Sequence, residues 1–517
     1  VSSIEYRVSS IEYRVSSRAM YTIGYDIGSS SAKASLLEVE SGACIAWAGY
    51  PDEELPITST APGWAEQPPE SWWECVKIVT KKLLASSVIK PADIKAIGIA
   101  YQMHGLVVVD KHQNVLRPSI IWCDSRAVEI GKSAFDSLGR EKCLSHLLNS
   151  PGNFTASKLR WVKENEPGIF AQIHKMMLPG DYIAMKLSGA INTTTAGLSE
   201  GILWNFKTGQ IANFLLTHYE ISPEFIPNVV PVFGEQGILT ASAAQELGLA
   251  AGTKISYRAG DQPNNALSVN VLEPGEIAAT AGTSGVVYGV SDVIKFDPAS
   301  RVNTFAHVNH SQMKNRLGIL LCINGTGIAN SWINKLLSRH GFSYQEMNDL
   351  AATTAIGSDG LLVLPFGNGA ERMFGNKDIR AHFSNLNFNI HNDAHLLRAI
   401  QEGIAFSFKY GMDIMAELDI QPSVIRAGLA NMFLSPLFRQ ALADISGVTI
   451  ELYNSDGSQG AARGAAIGAG LYSSTADAFA GLKLQKTVEP QSANRDAYQN
   501  AYVSWLTRLN KELDYAK

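Results

Sequence analysis

Tyr21-Thr-Ile-Gly-Tyr-Asp-Ile27, the turn Gly28-Ser-Ser-Ser31 and the alternating run Lys33–Val39 decide the fold. The first stretch is β-rich, the second is small and polar, and the third resumes the period of two that a half-buried strand requires. Ser41-Gly42 turns the chain again into Ala43–Tyr50, so the opening is a β-meander. Roughly 250 residues further on, Gly275–Ala281, Gly282-Thr-Ser-Gly285 and Val286–Val290 repeat the same grammar. Two hydroxyl-rich turns, each near the start of a half, point to an internal duplication whose halves face each other across a cleft.

The rest of the chain alternates strand and helix signals, which is the pattern of an α/β protein. Strands are expected at Lys95–Tyr101, Leu106–Asp110, Thr253–Ala259, Gly360–Pro365 and Val424–Ala427. Helices are expected at Pro69–Leu84, Ala156–Lys163, Leu396–Leu418, Leu434–Ser446 and Arg495–Tyr515. A length of 517 residues is too great for one hydrophobic core. The division expected is 20–268 and 269–517, preceded by a segment, 1–19, in which Val1–Arg7 recurs letter for letter as Val8–Arg14. That repeat stops just before Met20 and reads as a tag or upstream read-through.

Charge and cysteine usage narrow the function. A net charge of −5 with no Lys/Arg stripe excludes a polyanion-binding surface, so no nucleic acid is expected and any bound anion must be held locally. Five scattered cysteines without a Cys-x-x-Cys pair read as reduced thiols of a cytoplasmic protein. Neither a membrane span nor the apolar core of a signal peptide is expected.

Several segments carry chemistry. Asp26 ends a strand ahead of Gly28, Ser29, Ser30 and Lys33. Such a turn can cradle phosphate oxygens while the acid holds a magnesium ion through its water shell, although a plain hairpin with a solvated Asp fits as well. Gly282 and Thr283 offer the same donors from the other half. Asp261, between Gly260 and Gln262, suits a base that takes a hydroxyl proton, or equally a helix N-cap. His104, beside Met103, can meet a sugar hydroxyl or be structural. Trp122-Cys-Asp-Ser-Arg126 reads either as part of the site or as a structural Trp with a surface ion pair. Glu371 and Arg372 read as a structural brace of the cleft, and Gly428 with Asn431 as a small-residue approach for a flat base or a simple turn before a helix.

In this order the segments resemble the FGGY carbohydrate kinase family, and within it the xylulokinases. Gln102-Met-His-Gly105 is similar to the xylulokinase sugar loop, and Asp124 and Arg126 fit the family's Trp-x-Asp-x-Arg segment. Phe154-Thr-Ala-x-Lys-Leu-x-Trp161, Leu178-Pro-x-Asp-Tyr182, Gly282–Gly285 and Leu442-Ala-Asp444 resemble the motifs around them, over about Tyr21 to Tyr472.

The resemblance implies two ribonuclease H-like domains of the actin and hexokinase type, with an interdomain catalytic cleft closing over ATP and sugar. It implies phosphorylation of D-xylulose to D-xylulose 5-phosphate with Asp261 as base. Met103, His104 and Gln262 would position the ketose and Asp26 would act through Mg²⁺. Gly28, Ser29, Ser30, Lys33, Gly282 and Thr283 would hold phosphates, with Gly428 and Asn431 near adenine. A homodimer is compatible with it.

Two departures stand out: Ser31 where many members carry Gly, and Ala427-Gly-Leu-Ala-Asn431 in place of a run of three glycines. The alternatives are a kinase for another ketopentose or polyol, a non-catalytic sugar-binding regulator, and an actin-like or chaperone-type ATPase.

Overall fold

The computed structural model describes residues 19–337 and 342–516, without the Glu371 side chain. The repeat at the N-terminus therefore lies outside the described residues, except for Ala19.

Two sheets organise the chain. The first contains β1 (Tyr21–Ile27), β2 (Ala32–Glu38), β3 (Cys44–Tyr50), β4 (Ile94–Tyr101), β5 (Phe233–Ile238) and β6 (Lys254–Gly260), in the order β5-β6-β4-β1-β2-β3. The second contains β7 (Glu276–Ala281), β8 (Gly285–Ser291), β9 (Asn303–Ala306), β10 (Leu317–Ile323), β11 (Val424–Gly428), β12 (Ile450–Tyr453) and β13 (Leu484–Val488), in the order β9-β10-β8-β7-β11-β12-β13.

The halves share one topology. In each, the first strand is antiparallel to the next (β1 to β2, β7 to β8) and parallel to a later one (β1 to β4, β7 to β11). That later strand is in turn parallel to a further one, β6 or β12. The expected duplication and the two α/β domains of ribonuclease H type are therefore present, and the two glycine-bearing turns occupy equivalent places. Central strands such as β1 and β8 are buried nearly throughout, because helices cover both faces of their sheets.

One element was not legible beforehand. Helix α1 (Asp261–Ser268) follows β6 and leans toward the second sheet, where Ala266 packs with Ala278 and Val286. Its counterpart, α2 (Gly457–Gly468), follows β12 yet lies across the first sheet. Thr22 Oγ1 donates to the Ala462 carbonyl at 2.8 Å, and Ser256 Oγ donates to the Ala465 carbonyl at 2.7 Å. Gly24 and Gly98 make the approach possible, since a side chain on either would overlap the α2 backbone at Ala461 and Ala462. Helix α2 thus belongs to the second half by sequence and to the first sheet by packing, with α1 lodged between the two sheets. The run Gly-Ser-Gln-Gly-Ala-Ala-Arg-Gly has almost no apolar contrast, so periodicity does not reveal it.

Other boundaries shift slightly. The helix expected from Leu434 starts at Pro436, capped by Ser435 Oγ, and Leu434 closes a 3₁₀ turn instead. The terminal helix Arg495–Tyr515 drives Trp505 and Leu509 into the second core, where Trp505 Nε1 donates to the Val363 carbonyl at 2.8 Å. Among the described residues no helix is long and apolar enough to cross a membrane.

Candidate active site

The first turn is pinned from behind. Gly28 N–H donates to the Ser31 carbonyl at 3.0 Å, Leu55 N–H to the Ser30 carbonyl at 2.7 Å and Gln67 Nε2 to the Ser29 carbonyl at 2.7 Å. Asp26, one residue before the end of β1, pairs in register with Lys33 on β2. Its carboxyl is pushed up to about 6, first by removal from water and then by the charge of Asp456, against the pull of Lys33. Asp456 arrives from the other half: it caps α2, and Gly457 beside it has no room for a side chain because Asp26 lies there.

Asp261 opens α1 directly after β6. The helix is capped at Gly260, and Asp261 is its first residue, so the N-cap alternative does not hold. Burial, then the Asp26 charge, pushes the Asp261 carboxyl up to about 7, while hydrogen bonds from the Gln262 main chain and side chain pull the other way. Asp26, Asp261 and Gln262 are therefore brought together, with the two carboxyls close enough to perturb each other.

The Gln102–Gly105 loop reaches the residue that precedes Asp261. Met103 is buried and packs against Gly260. His104 adopts a left-handed backbone conformation, φ 63°, and its Nδ1 is 2.9 Å from the Glu200 carbonyl. Burial and the nearby Lys158 hold the imidazole down at about 3, so it is neutral. Nδ1 must then donate to the carbonyl, which leaves Nε2 as an acceptor. Phe154 packs edge-on against the ring at 4.8 Å, and Phe305 from β9 closes it from the second half at 5.3 Å.

Lys158 supports this loop from within. Its Nζ donates to the carbonyls of His104 at 3.0 Å and Ile121 at 2.8 Å. Burial pushes it down to about 7, partly offset by Asp124. The Trp-x-Asp-x-Arg segment reverses its structural alternative: Trp122 is half exposed, with Nε1 3.3 Å from Ser29 Oγ, whereas the ion pair is buried. Arg126 holds Asp124 at 2.7 Å and Glu66 at 2.7 Å, with its guanidinium over the Trp64 and Trp161 rings.

In the second half, a cavity of about 500 Å³ is lined by Gly282, Thr283, Gly327, Tyr344, Asn348 and Asn431, among others. The helix Gly327–Leu337 docks its first turn on the second glycine turn: Gly327 N–H donates to the Gly282 carbonyl at 2.8 Å and Ile328 N–H to the Thr283 carbonyl at 3.1 Å. Gly428 ends β11 outside the residues lining this cavity, and Leu429 packs on the second core.

Family models of the FGGY carbohydrate kinases match twice, the N-terminal domain over residues 21–268 and the C-terminal domain over residues 277–472. The chain belongs to the FGGY family of carbohydrate kinases. It is 30% identical to the xylulose kinase of Escherichia coli K12 over 92% of this chain and 96% of that one. It is 30% identical to the xylulose kinase of Klebsiella pneumoniae over 86% and 88% of the two chains. The crystal structure of xylulose kinase from Rhodospirillum rubrum superposes with a TM-score of 0.86 at 26% identity, covering 96% of this chain and 99% of that one. The protein is accordingly a sugar kinase, which disposes of the silent regulator and of the actin-like or chaperone-type ATPase.

Within this FGGY kinase, sequence reasoning missed Lys158, Glu200, Asp456 and Gly327. Lys158 stood in a motif noted for resemblance but given no role. Asn324-Gly-Thr-Gly327 after a buried strand repeats the turn grammar already used twice and was open to the same reading. Glu200 and Asp456 carry no local signal. Asp181 of the Leu-Pro-x-Asp-Tyr motif is paired with Arg258 at 2.9 Å, both buried, and so holds the wall behind β6. Arg372 lies over the Phe154 ring at 5.1 Å and bridges the two halves, in keeping with the bracing role expected of it.

Proposed function

We propose that this sugar kinase transfers the γ-phosphoryl group of ATP to the 5-hydroxyl of D-xylulose, with Asp261 as general base. The observation that carries this is the position of Asp261: a desolvated carboxyl near pH 7, beside Asp26 and next to Met103 of the His104 loop. A base works best when its pKa lies near the working pH. The choice of D-xylulose rests on the Gln102–Gly105 loop and on the relatives that are named xylulose kinases.

In the proposed reaction His104 Nε2 accepts from a sugar hydroxyl, the Met103 thioether packs on the carbon face, and Gln262 orients the base. Asp261 takes the 5-hydroxyl proton as that oxygen bonds to the γ-phosphorus. The bond from phosphorus to the β,γ-bridging oxygen breaks and ADP leaves. The Gly28 N–H closes the first turn on Ser31, so the N–H groups that donate to the phosphate oxygens are those of Ser29 and Ser30 there and of Gly282 and Thr283 in the second turn, and Lys33 adds a positive charge. Asn431 shapes the nucleotide cavity. Residues 20–268 would take the sugar and 269–517 the nucleotide, and closure would exclude water.

The charge of Asp456 acts on the Asp26 carboxyl and that of Asp26 on the Asp261 carboxyl, so three carboxyls line one place, a hard-oxygen set that suits Mg²⁺. Among the described residues no group of three or more His, Cys, Asp or Glu forms a ready cage. Asp26 would hold the ion through water, as Mg²⁺ prefers. When bound, Mg²⁺ neutralises charge on the phosphates. Among the described residues no cysteine forms a disulfide, which supports reading the enzyme as cytoplasmic.

ADP release measured over a panel of ketoses and polyols is expected to give D-xylulose the highest kcat/KM. A clear preference for ribulose or glycerol sinks the sugar assignment. The same assay followed against pH tests the base. Asp261 must be ionised to accept a proton and its carboxyl sits at about 7, so kcat/KM should rise through pH 7 to a plateau above it. A profile flat from pH 5 to 8 would remove Asp261 as the titrating base.

A further inference from the structure

Glu200 joins the two parts of the proposed chemistry without belonging to either. It ends the short helix Thr195–Glu200, is 1% exposed, and its Oε1 has no hydrogen-bond partner among the described residues. Its main-chain carbonyl accepts from His104 Nδ1, which sets the tautomer of that ring. Its carboxyl occupies the space that a side chain on Gly260 would need and shares that space with the Met103 thioether. Gly260 immediately precedes Asp261. One residue therefore touches the sugar loop at two points and the backbone that carries the base at a third.

The ionisable groups facing Glu200 are Tyr101 on β4, His104, Asp181 with its partner Arg258, Asp261, and Tyr288 from β8. Burial holds the Glu200 carboxyl well above the usual carboxylate range. The nearby Tyr101 hydroxyl opposes this, and the charges of Asp261 and Asp181 add to it. A neutral acid is the form such surroundings tolerate, because a second unpaired carboxylate beside Asp261 would be costly.

We propose that Glu200 is a positioning residue for phosphoryl transfer, whose carboxylic acid and carbonyl lock Met103, His104 and Gly260 into one unit and so fix the distance from the sugar to the base. The proposal rests on Asp261 being the base and on the Gln102–Gly105 loop contacting the sugar. Because Glu200 is covered by Met103 and Gly260, it acts through them. Misplacement of reacting groups by about 1 Å can cost on the order of 10²-fold in rate, so a rigid spacer at this point has large leverage.

The test compares wild type, Glu200→Gln, Glu200→Ala and Asp261→Asn, using the acceptor that wild type phosphorylates fastest, so that a wrong sugar assignment leaves the comparison intact. Glu200→Gln preserves a neutral group of the same shape and should keep kcat within about 3-fold. Glu200→Ala retains the carbonyl but empties the space behind Gly260; kcat should fall by about 10–100-fold. KM for ATP should stay within about 2-fold, since the nucleotide side is untouched. Thermal melts establish that each variant is folded. A Glu200→Ala enzyme with unchanged kcat and a lower melting temperature would make the residue merely structural and overturn the proposal. Equal losses in the Gln and Ala variants would overturn it differently, by showing that an ionised carboxylate is required. Full turnover by Asp261→Asn would instead remove the base on which the proposal stands, and the variant that shows the result tells these failures apart.

Discussion

Asp261→Asn is expected to lower kcat by about 10²–10⁴-fold while leaving the protein folded, the loss typical for a positioned general base. Asn keeps the shape and can still bond to Gln262, but cannot accept the hydroxyl proton. Its effect on stability should have the opposite sign. The Asp261 carboxyl is raised in the folded protein, so the folded state binds more protons than the unfolded chain between about pH 4 and 7, and wild type loses stability as pH rises through that window. Asn removes this term together with the repulsion from Asp26. The melting temperature of Asp261→Asn should equal or exceed that of wild type at pH 8, with the gap closing toward pH 4. Near-normal turnover would mean that another group takes the proton. An inactive variant that melts far below wild type at pH 8 would mean that Asp261 is needed for the fold, and that the lost activity says nothing about a base.

Arg126→Met should cost about 3–5 kcal/mol of stability, the range for breaking a buried ion pair and stranding one partner. Asp124 is fully buried and Arg126 nearly so, and the guanidinium also holds Glu66 and lies over the Trp64 and Trp161 rings. Methionine preserves most of the apolar contact, so the loss isolates the charge. Asp124 would keep the N–H groups of Ala65, at 2.6 Å, and of residue 126, at 2.9 Å. Neither bond carries a compensating charge, and the Lys158 ammonium that still feels Asp124 is itself held down by burial. The quantity to measure is the denaturant midpoint, with Asp124→Asn/Arg126→Met recovering part of the loss because no charge is then stranded. A loss under about 1 kcal/mol would show that the two N–H groups suffice and that this pair behaves like an exposed one.

The parts of this kinase that were legible in advance depend on near neighbours in the chain. A β-rich run marks β1 and a residue alternation β2 within seven-residue windows, although burial in neither strand follows a period of two, and small hydroxyl residues mark the turns at Gly28 and Gly282. The Gln102–Gly105 loop and Asp261 were singled out because their residue types suit sugar contact and proton transfer, and the resemblance put them in one site. The structure brings Met103, Gly260 and Asp261 side by side although about 160 residues separate the loop from the base. It also leaves Gly428 outside the residues that line the Gly282–Asn431 cavity and makes the Asp124 and Arg126 side chains interior.

What the chain determined by itself was the α/β class, the duplication, the turn chemistry and the identity of the groups able to react, because propensity, periodicity and side-chain chemistry are properties of short stretches. Only the tertiary structure decided the crossing of α2 onto the first sheet, the support of His104 by Lys158, the proximity of Asp456 to Asp26 and the place of Glu200. Each of these depends on burial. A lysine pushed down to about 7 and a glutamic acid whose carboxyl is held well above the usual carboxylate range owe this to partners that fold around them from distant segments and exclude water. No local window of sequence contains that exclusion.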